Sequence, residues 1–141
     1  MTTLKSLLIV LLIVLGCKSS GLPHQVTINR PVCFASCRAY TFTAHKNNMM
    51  LQINLKDKQF PIPLSSEQQQ TFRTLLNTIE FTDLDSFYGN KRVYDIPEVS
   101  IQYHNTNTII KGIHFAPKKL QTLLTQISNI VQTTPIEKLT Q

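Results

Sequence analysis

The sequence predicts an α+β domain with an antiparallel sheet of about five strands and two helices packed on one face, in the order β-β-β-α-β-β-α. Short runs that alternate apolar and polar residues have the period of half-buried strands. Two longer runs repeat apolar residues at intervals of three and four, which is the period of an amphipathic helix. Because residues 24–132 contain no internal repeat and no long linker, we expect these elements to share one core.

The first two strands are predicted near the start of this domain. Val26 and Ile28 alternate with polar neighbours, and Pro31 is expected to end that strand. Residues 38–45 alternate in the same way. Each of these strands would therefore turn one apolar face toward the core.

The third strand, residues 49–55, has the most regular alternation in the chain. Asn47-Asn48 precedes it, and asparagine tolerates the positive φ of a tight turn, so this strand is predicted to form an antiparallel hairpin with the second. Asp57-Lys58 is expected to begin another turn. The stretch 60–63 that follows is extended in this prediction, but it is too rich in proline for a central strand.

The first helix is predicted to begin at Ser65 or Ser66, with Gln68 or Gln69 as the partner in a capping box. Because its apolar residues recur every three or four positions, the helix is expected to pack one side on the sheet. This stripe consists of Phe72, Leu75, Leu76 and Ile79.

A second hairpin follows a short connection. Residues 81–88 are predicted to form a connecting turn or a short helix that ends at Gly89-Asn90. A strand at residues 99–104 is expected to turn at 105–107 and to return through 109–115.

The second helix is predicted to begin at Pro117, a residue favoured at the first helical position, and to end before Pro135. Residues 133–141 are expected to form a flexible tail. The apolar stripe of this helix consists of Leu120, Leu123, Leu124, Ile127, Ile130 and Val131.

The N-terminal residues have the pattern of an exported lipoprotein. Lys5 is followed by the apolar run 7–15, which matches the short charged region and apolar segment of a secretory signal peptide. A run of nine residues is too short to span a bilayer, which takes about 20. The run ends in Leu15-Gly16-Cys17, which resembles the bacterial lipobox, whose cysteine is lipidated and becomes the new N-terminus. The alternative is an ordinary signal peptide that ends beside an unrelated cysteine.

We therefore predict that residues 1–16 are removed, that Cys17 carries acyl chains such as palmitate, and that residues 17–23 tether the domain to a membrane of the bacterial cell envelope. Lys18 stands where an aspartate would retain the protein in the inner membrane. The outer membrane, with the domain facing the periplasm, is therefore the favoured location.

The charge pattern bears on the class of partner. The formal net charge is +6, but lysine and arginine occur singly or in pairs such as Lys91-Arg92 and Lys118-Lys119, with no block of five. This distribution is typical of a solvated surface and not of a nucleic-acid interface. We expect no nucleic-acid partner.

The cysteines are Cys17, Cys33 and Cys37. Assigning Cys17 to lipid leaves an even pair, and an oxidising compartment favours a disulfide between Cys33 and Cys37. Positions four apart in a straight strand lie roughly 13 Å from each other, whereas the Cα atoms of a disulfide lie within about 7 Å. The bond therefore requires residues 33–37 to turn.

Two functional alternatives use the same cysteines. A Cys-x3-Cys pair with a histidine can form a soft copper site, for which Cys33, Cys37 and His45 are the candidates, and His104 and His114 are also available. Thiol exchange is the other alternative, although redox motifs usually have two residues between their cysteines and lie at the start of a helix.

Catalytic motifs are absent from the sequence. It contains no glycine-rich phosphate loop and no Gly-x-Ser-x-Gly elbow. Asp83 and Asp85 are interpreted as turn-capping residues and not as a catalytic dyad. Asp95 is interpreted as a turn residue, with coordination of a cation as the alternative. The sequence therefore favours a non-catalytic binding or accessory module without a cofactor, which would bind an envelope protein through an exposed face or edge of its sheet.

Residues 33–40 (CFASCRAY) and Tyr94-Asp95-Ile96-Pro97 resemble motifs of a family of small bacterial lipoproteins and exported domains classified only as a domain of unknown function. The family opens with Cys-Phe-Gly-x-Cys-Pro-x-Tyr and has an Asp-x-Pro tripeptide before its second hairpin. The match covers residues 24–132, with Ala35 in place of the glycine and Arg38 in place of the proline. The resemblance implies the same fold and location and brings no known activity.

Overall fold

The computed structural model describes residues 25–32, 37–46 and 48–138. The predicted signal peptide, Cys17 with its tether and Cys33 lie outside these residues. In the described part, the sheet consists of β1 (Val26–Arg30), β2 (Ala39–His45), β3 (Asn48–Leu55), β4 (Lys58–Ile62), β5 (Phe87–Gly89), β6 (Glu98–Tyr103) and β7 (Thr106–Lys111). The α-helices are α1 (Ser66–Thr78) and α2 (Lys118–Thr133), and short 3₁₀ helices cover Phe81–Asp83, Ile113–Phe115 and Ile136–Lys138.

The α+β class is confirmed, but the sheet is larger than predicted and is not purely antiparallel. Seven described strands follow the order β4-β3-β2-β1-β6-β7-β5. Every neighbouring pair is antiparallel except β5 and β7, which are parallel. The sequence analysis did not count β4 and β5 as strands. Both lie at the edges of the sheet, and β4 agrees with the prediction that residues 60–63 are extended but do not form a central strand.

A local feature of each strand explains why it was not predicted. β4 contains Pro61, which has no backbone N–H, and it can pair on one side only, as an edge strand allows. β5 has only three residues, which is too short to show an alternating pattern. Gly89 ends β5 with a φ of 132°, and a Cβ atom there would clash with the carbonyl oxygen of Lys111.

The hairpin turns begin one residue earlier than predicted. The first residue after the leading strand has a positive φ in three hairpins, 53° at Lys46, 52° at Lys56 and 51° at His104. The predicted turns began at the asparagine or aspartate that follows, because those residues tolerate the left-handed region better than lysine. Pairing of the strands in register therefore decides where each turn lies, against the local preference.

The core lies between one face of the sheet and the two helices. Alternate strand residues and the helix stripes form one cluster of buried side chains. Phe42 of β2 meets Phe72 of α1 edge to face, with 5.3 Å between ring centroids. Helix α2 contributes most of the helical part of the core, with Leu120, Leu123, Leu124, Ile127 and Val131 buried.

The helix boundaries follow from capping. The Oγ atom of Ser65 accepts the backbone N–H of Gln68 at 3.2 Å, and the Gln68 side chain accepts the backbone N–H of Ser65 at 2.8 Å. This capping box makes Ser65 the N-cap of α1 and confirms one of the two predicted pairs. Pro117 is the N-cap of α2 and not its first helical residue.

Two further predictions are corrected after the first helix. Residues 81–88 contain a 3₁₀ turn and the start of β5, and β7 ends at Lys111 instead of continuing to residue 115. Gly112, with a φ of 92°, redirects the chain into the 3₁₀ helix 113–115. None of the described helices has the length and apolar character needed to cross a membrane.

The capping box gives a matched test of the helix boundary. Replacing Ser65 with alanine is expected to lower the free energy of unfolding by about 1 kcal/mol, because it leaves a backbone N–H of the first turn without its acceptor. Ser66→Ala is the control, since Ser66 is exposed and lies inside the helix. Urea unfolding of both variants measures the difference. Equal losses would contradict the assignment of Ser65 as the N-cap.

Candidate functional site

The segment that carries the cysteine motif connects β1 with β2. These strands pair as an antiparallel hairpin, and Arg30 at the end of β1 lies opposite Tyr40. Cys37 lies two residues before β2, while Cys33 lies outside the described residues. The bond between Cys33 and Cys37 therefore stays a prediction, and it would lie within this connection.

The histidine of the alternative copper site lies elsewhere. His45 is the last residue of β2, and Ala39 is the first. A strand rises about 3.3 Å per residue, so His45 lies roughly 20 Å from the start of β2 and from the cysteine segment. The described residues also contain no group of three or more His, Cys, Asp or Glu side chains that could hold a metal ion. The structure therefore does not bring His45 together with Cys37.

Arg38 connects the cysteine segment to the end of α2. Its Nη1 atom donates to the carbonyl oxygen of Val131 at 2.9 Å and also to that of Thr134. The last carbonyls of a helix have no partner within the helix, and cationic side chains stabilise them. Arg38 therefore ties the start of β2 to the C-terminus of α2.

A second arginine lies beside a buried tyrosine on the same side of the sheet. Arg30 donates from Nη1 to the Ser128 hydroxyl of α2 at 3.2 Å. Tyr40 is fully buried, and its hydroxyl lies near the Ser128 hydroxyl but forms no hydrogen bond of normal geometry with the described residues. Burial raises the pKa of Tyr40 above its ordinary value, and the Ser128 hydroxyl and the charge of Arg30 offset this only in part.

A groove of about 490 Å³ lies between the end of α1, the 3₁₀ turn 81–83, β5 and the start of α2. Its apolar residues include Ile79, Leu84, Tyr88 and Leu120, and its charged residues are Glu80, Asp83, Lys118 and Lys119. The acids lie on the wall that follows α1, and the lysines lie on the wall formed by α2. Lys119 donates from Nζ to the carbonyl oxygen of Thr78 at 3.0 Å. We call this site the groove.

The face of the sheet away from the helices is polar, and we call it the open face. Amide and hydroxyl side chains alternate with the core residues along the central strands. Two hydrogen bonds join them across strands, from Asn54 Nδ2 to Thr41 Oγ1 at 2.9 Å and from Thr41 Oγ1 to Asn29 Oδ1 at 3.3 Å. The open face includes Thr27, Asn29, Thr41, Thr43, Gln52, Asn54, Ser100 and Gln102.

One end of the open face is charged and the other forms a cavity. At the charged end, the Lys111 ammonium lies 3.2 Å from the Glu98 carboxylate and 5.5 Å from the centre of the Tyr94 ring. At the other end, a cavity of about 420 Å³ is lined by Gln25, Thr27, His45, Gln102 and His104. We call this cavity the polar pocket.

The acidic residues considered in the sequence analysis lie in loops or turns. Asp83 belongs to the 3₁₀ turn, while Asp85 and Asp95 lie in the connections before and after β5, and all three are exposed. Asp83 also lines the groove.

Comparison with protein-family models, with curated protein sequences and with solved structures finds no match to this chain. The resemblance to the family with the Cys-Phe-Gly-x-Cys-Pro-x-Tyr opening therefore stays a prediction.

The sequence analysis missed both the groove and the polar pocket. The groove joins residues 78–88 to residues 117–120, which only the packing of α1 against α2 brings together. The polar pocket had a signal in the sequence, because its residues are the polar members of alternating strands. An exposed sheet face was a predicted binding surface, but only strand pairing brings these five residues together on it.

The raised pKa of Tyr40 predicts a loss of stability in alkaline solution. In the unfolded chain Tyr40 ionises near its ordinary pKa of about 10, whereas the folded protein keeps it protonated to higher pH. The stabilisation is therefore fully present below about pH 10 and decreases above it, by at most about 1.4 kcal/mol per pH unit.

Urea unfolding at pH 9, 10 and 11 measures this effect in wild type and in Tyr40→Phe. The variant should show a smaller decrease in stability above pH 10. Tyr94→Phe is the control, because Tyr94 is 84% exposed. If Tyr40→Phe followed the wild-type pH dependence, ionisation of Tyr40 would not contribute.

Proposed function

We propose that this protein is a lipid-anchored lipoprotein of the bacterial cell envelope that acts as a non-catalytic binding module. The signal-like run 7–15 and Cys17 support the anchor. Seven tether residues can span at most roughly 25 Å, so the domain would work close to the membrane surface. The outer membrane, with the domain on its periplasmic side, is the location that we propose.

The groove is the observation that carries the binding role. Its volume of about 490 Å³ lies within the range of ligand sites, about 300–1,000 Å³. Its apolar residues offer buried area, while its acidic and basic residues can orient a partner. No ion pair joins the acids of one wall to the lysines of the other among the described residues.

We propose that the occupant is a segment of an envelope protein. It would place an apolar side chain against Ile79 and Leu84, a basic residue toward Glu80 and Asp83, and an acidic residue toward the α2 wall. The sheet edges are less suited to adding a partner strand, because β4 contains Pro61 and β5 is only three residues long.

Photo-crosslinking in native membranes tests the groove. A photoreactive amino acid at Leu84 of the full lipidated chain should give one adduct that mass spectrometry can identify. The same group at Met50, which is exposed on the open face, is the control. Adducts of equal yield from both positions would contradict binding in the groove.

The identified partner is then purified, and its Kd is measured. The double variant Glu80→Lys and Asp83→Lys should weaken binding at least about tenfold, because it places like charges opposite the basic residue of the partner. Asp57→Lys, an exposed acid in the turn after β3, should leave the Kd unchanged. An unchanged Kd in the double variant would exclude the proposed orientation.

Labelling with an alkyne analogue of palmitate tests the anchor. Wild type should carry the label and sediment with membranes, whereas Cys17→Ala should lose the label because it has no lipidation site. Ser20→Ala, in the tether, should behave as wild type. An ordinary signal peptide predicts instead that wild type and Cys17→Ala are both unlabelled and released.

A further inference from the structure

The polar pocket lies on the opposite side of the sheet from the groove, and its construction follows from strand pairing. β1 lies between β2 and β6, and Val26 pairs with both Ala44 and Tyr103. Gln25 comes one residue before Val26, while His45 and His104 come one residue after its two partners. The same register therefore places Gln25 between the two histidines. Thr27 and Gln102 are paired neighbours on the floor.

The described residues that line the polar pocket offer amide, hydroxyl and imidazole groups. Each glutamine provides two N–H donors and one carbonyl acceptor, and the Thr27 hydroxyl both donates and accepts. Each imidazole ring adds two nitrogen atoms that can take part in hydrogen bonds. Donors and acceptors therefore alternate over a small area.

Among the residues that the structure describes, no carboxylate, ammonium or guanidinium group lines the polar pocket. Lys46 follows His45 in the turn and is exposed, but it does not line the cavity. The ion pair of Lys111 and Glu98 lies roughly 13 Å away along β6, since Glu98 precedes Gln102 by four residues. Phosphate and carboxylate ligands are usually held by arginine or lysine, so the pocket is poorly suited to anions.

We propose that the polar pocket binds an uncharged oligosaccharide. Sugar hydroxyls both donate and accept hydrogen bonds, and therefore match the mixed donors and acceptors of this cavity. The volume of about 420 Å³ lies within the range of small-molecule sites. Beyond the pocket, the open face continues with Asn29, Thr41 and Asn54, whose amide and hydroxyl groups can meet further sugar units of the same chain. This inference is independent of the groove and of its partner.

Isothermal titration calorimetry tests the proposal with the full lipidated chain in a zwitterionic detergent that contains no sugar. The probes are the tetrasaccharides of N-acetylglucosamine, of β-1,4-linked glucose and of α-1,4-linked glucose, and glucose 6-phosphate is the anionic comparison. At least one tetrasaccharide should bind saturably, and glucose 6-phosphate should not.

Variants test whether the saccharide binds in the polar pocket. Gln102→Ala should weaken the affinity about fivefold, and Gln25→Ala combined with Gln102→Ala should weaken it more than tenfold. Each substitution removes the hydrogen bonds between one glutamine side chain and the saccharide. Gln70→Ala is the matched control, because Gln70 is exposed on α1, on the other side of the sheet from the pocket. The groove variant Glu80→Lys and Asp83→Lys should leave saccharide affinity unchanged.

Three results would overturn the proposal. One is the absence of binding for all three tetrasaccharides. Another is an equal loss of affinity in Gln70→Ala and Gln102→Ala, which would place binding outside the pocket. The third is tighter binding of glucose 6-phosphate, which would assign the site to an anion. Because none of these results involves the groove, they leave the proposed protein partner unaffected.

Discussion

The pairing of β1 with β6 is the contact on which the rest of the structure depends. β1 belongs to the N-terminal half of the domain, and Ile28 pairs with Ile101 more than seventy residues later. Without this pairing, β1 to β4 would form an antiparallel meander, and β5, β6 and β7 would form a separate unit of mixed strand direction. Each half would then expose an apolar face, whereas together they bury Val26, Ile28, Val99 and Ile101 in one core. Such long-range pairing costs loop-closure entropy, which burial of the shared face must offset.

The same pairing explains how the two candidate sites arise. It places Thr27 beside Gln102 of β6 and Gln25 near His104, the residue after β6. These residues form the polar pocket on the open face. On the other face the pairing forms a continuous apolar surface on which α1 and α2 pack side by side, and the groove lies where the end of α1 approaches the start of α2. A small saccharide and a protein segment could therefore bind on opposite sides of the sheet without competing.

Periodicity and capping chemistry predicted most of the central fold, because these signals are local. The alternation of residues 49–55 and the stripe of α1 each lie within a short window, and so does the capping box at Ser65. The edge strands could not be predicted in this way. β5 is a strand only because β7 is beside it, and Lys56 adopts a positive φ only because β3 and β4 pair in one register. Both sites also depend on contacts between residues far apart in the chain. The sequence therefore shows which residue types are present but not which of them lie together in the fold.

Arg38 shows how a side chain can fix the start of a strand without the backbone restriction of a proline at that position. The resemblance noted in the sequence places proline at this position, and proline would restrict the backbone but could not donate a hydrogen bond. Arg38 instead bonds two carbonyl oxygens at the end of α2, so it couples the start of β2 to a helix far along the chain. Bonds from a charged donor contribute about 1.5–3 kcal/mol when well formed. A disulfide that closes five residues contributes about 2 kcal/mol in the chain-entropy model. Arg38 holds the start of β2, and the predicted Cys33–Cys37 bond would close the turn directly before it, so the two would restrain the same connection.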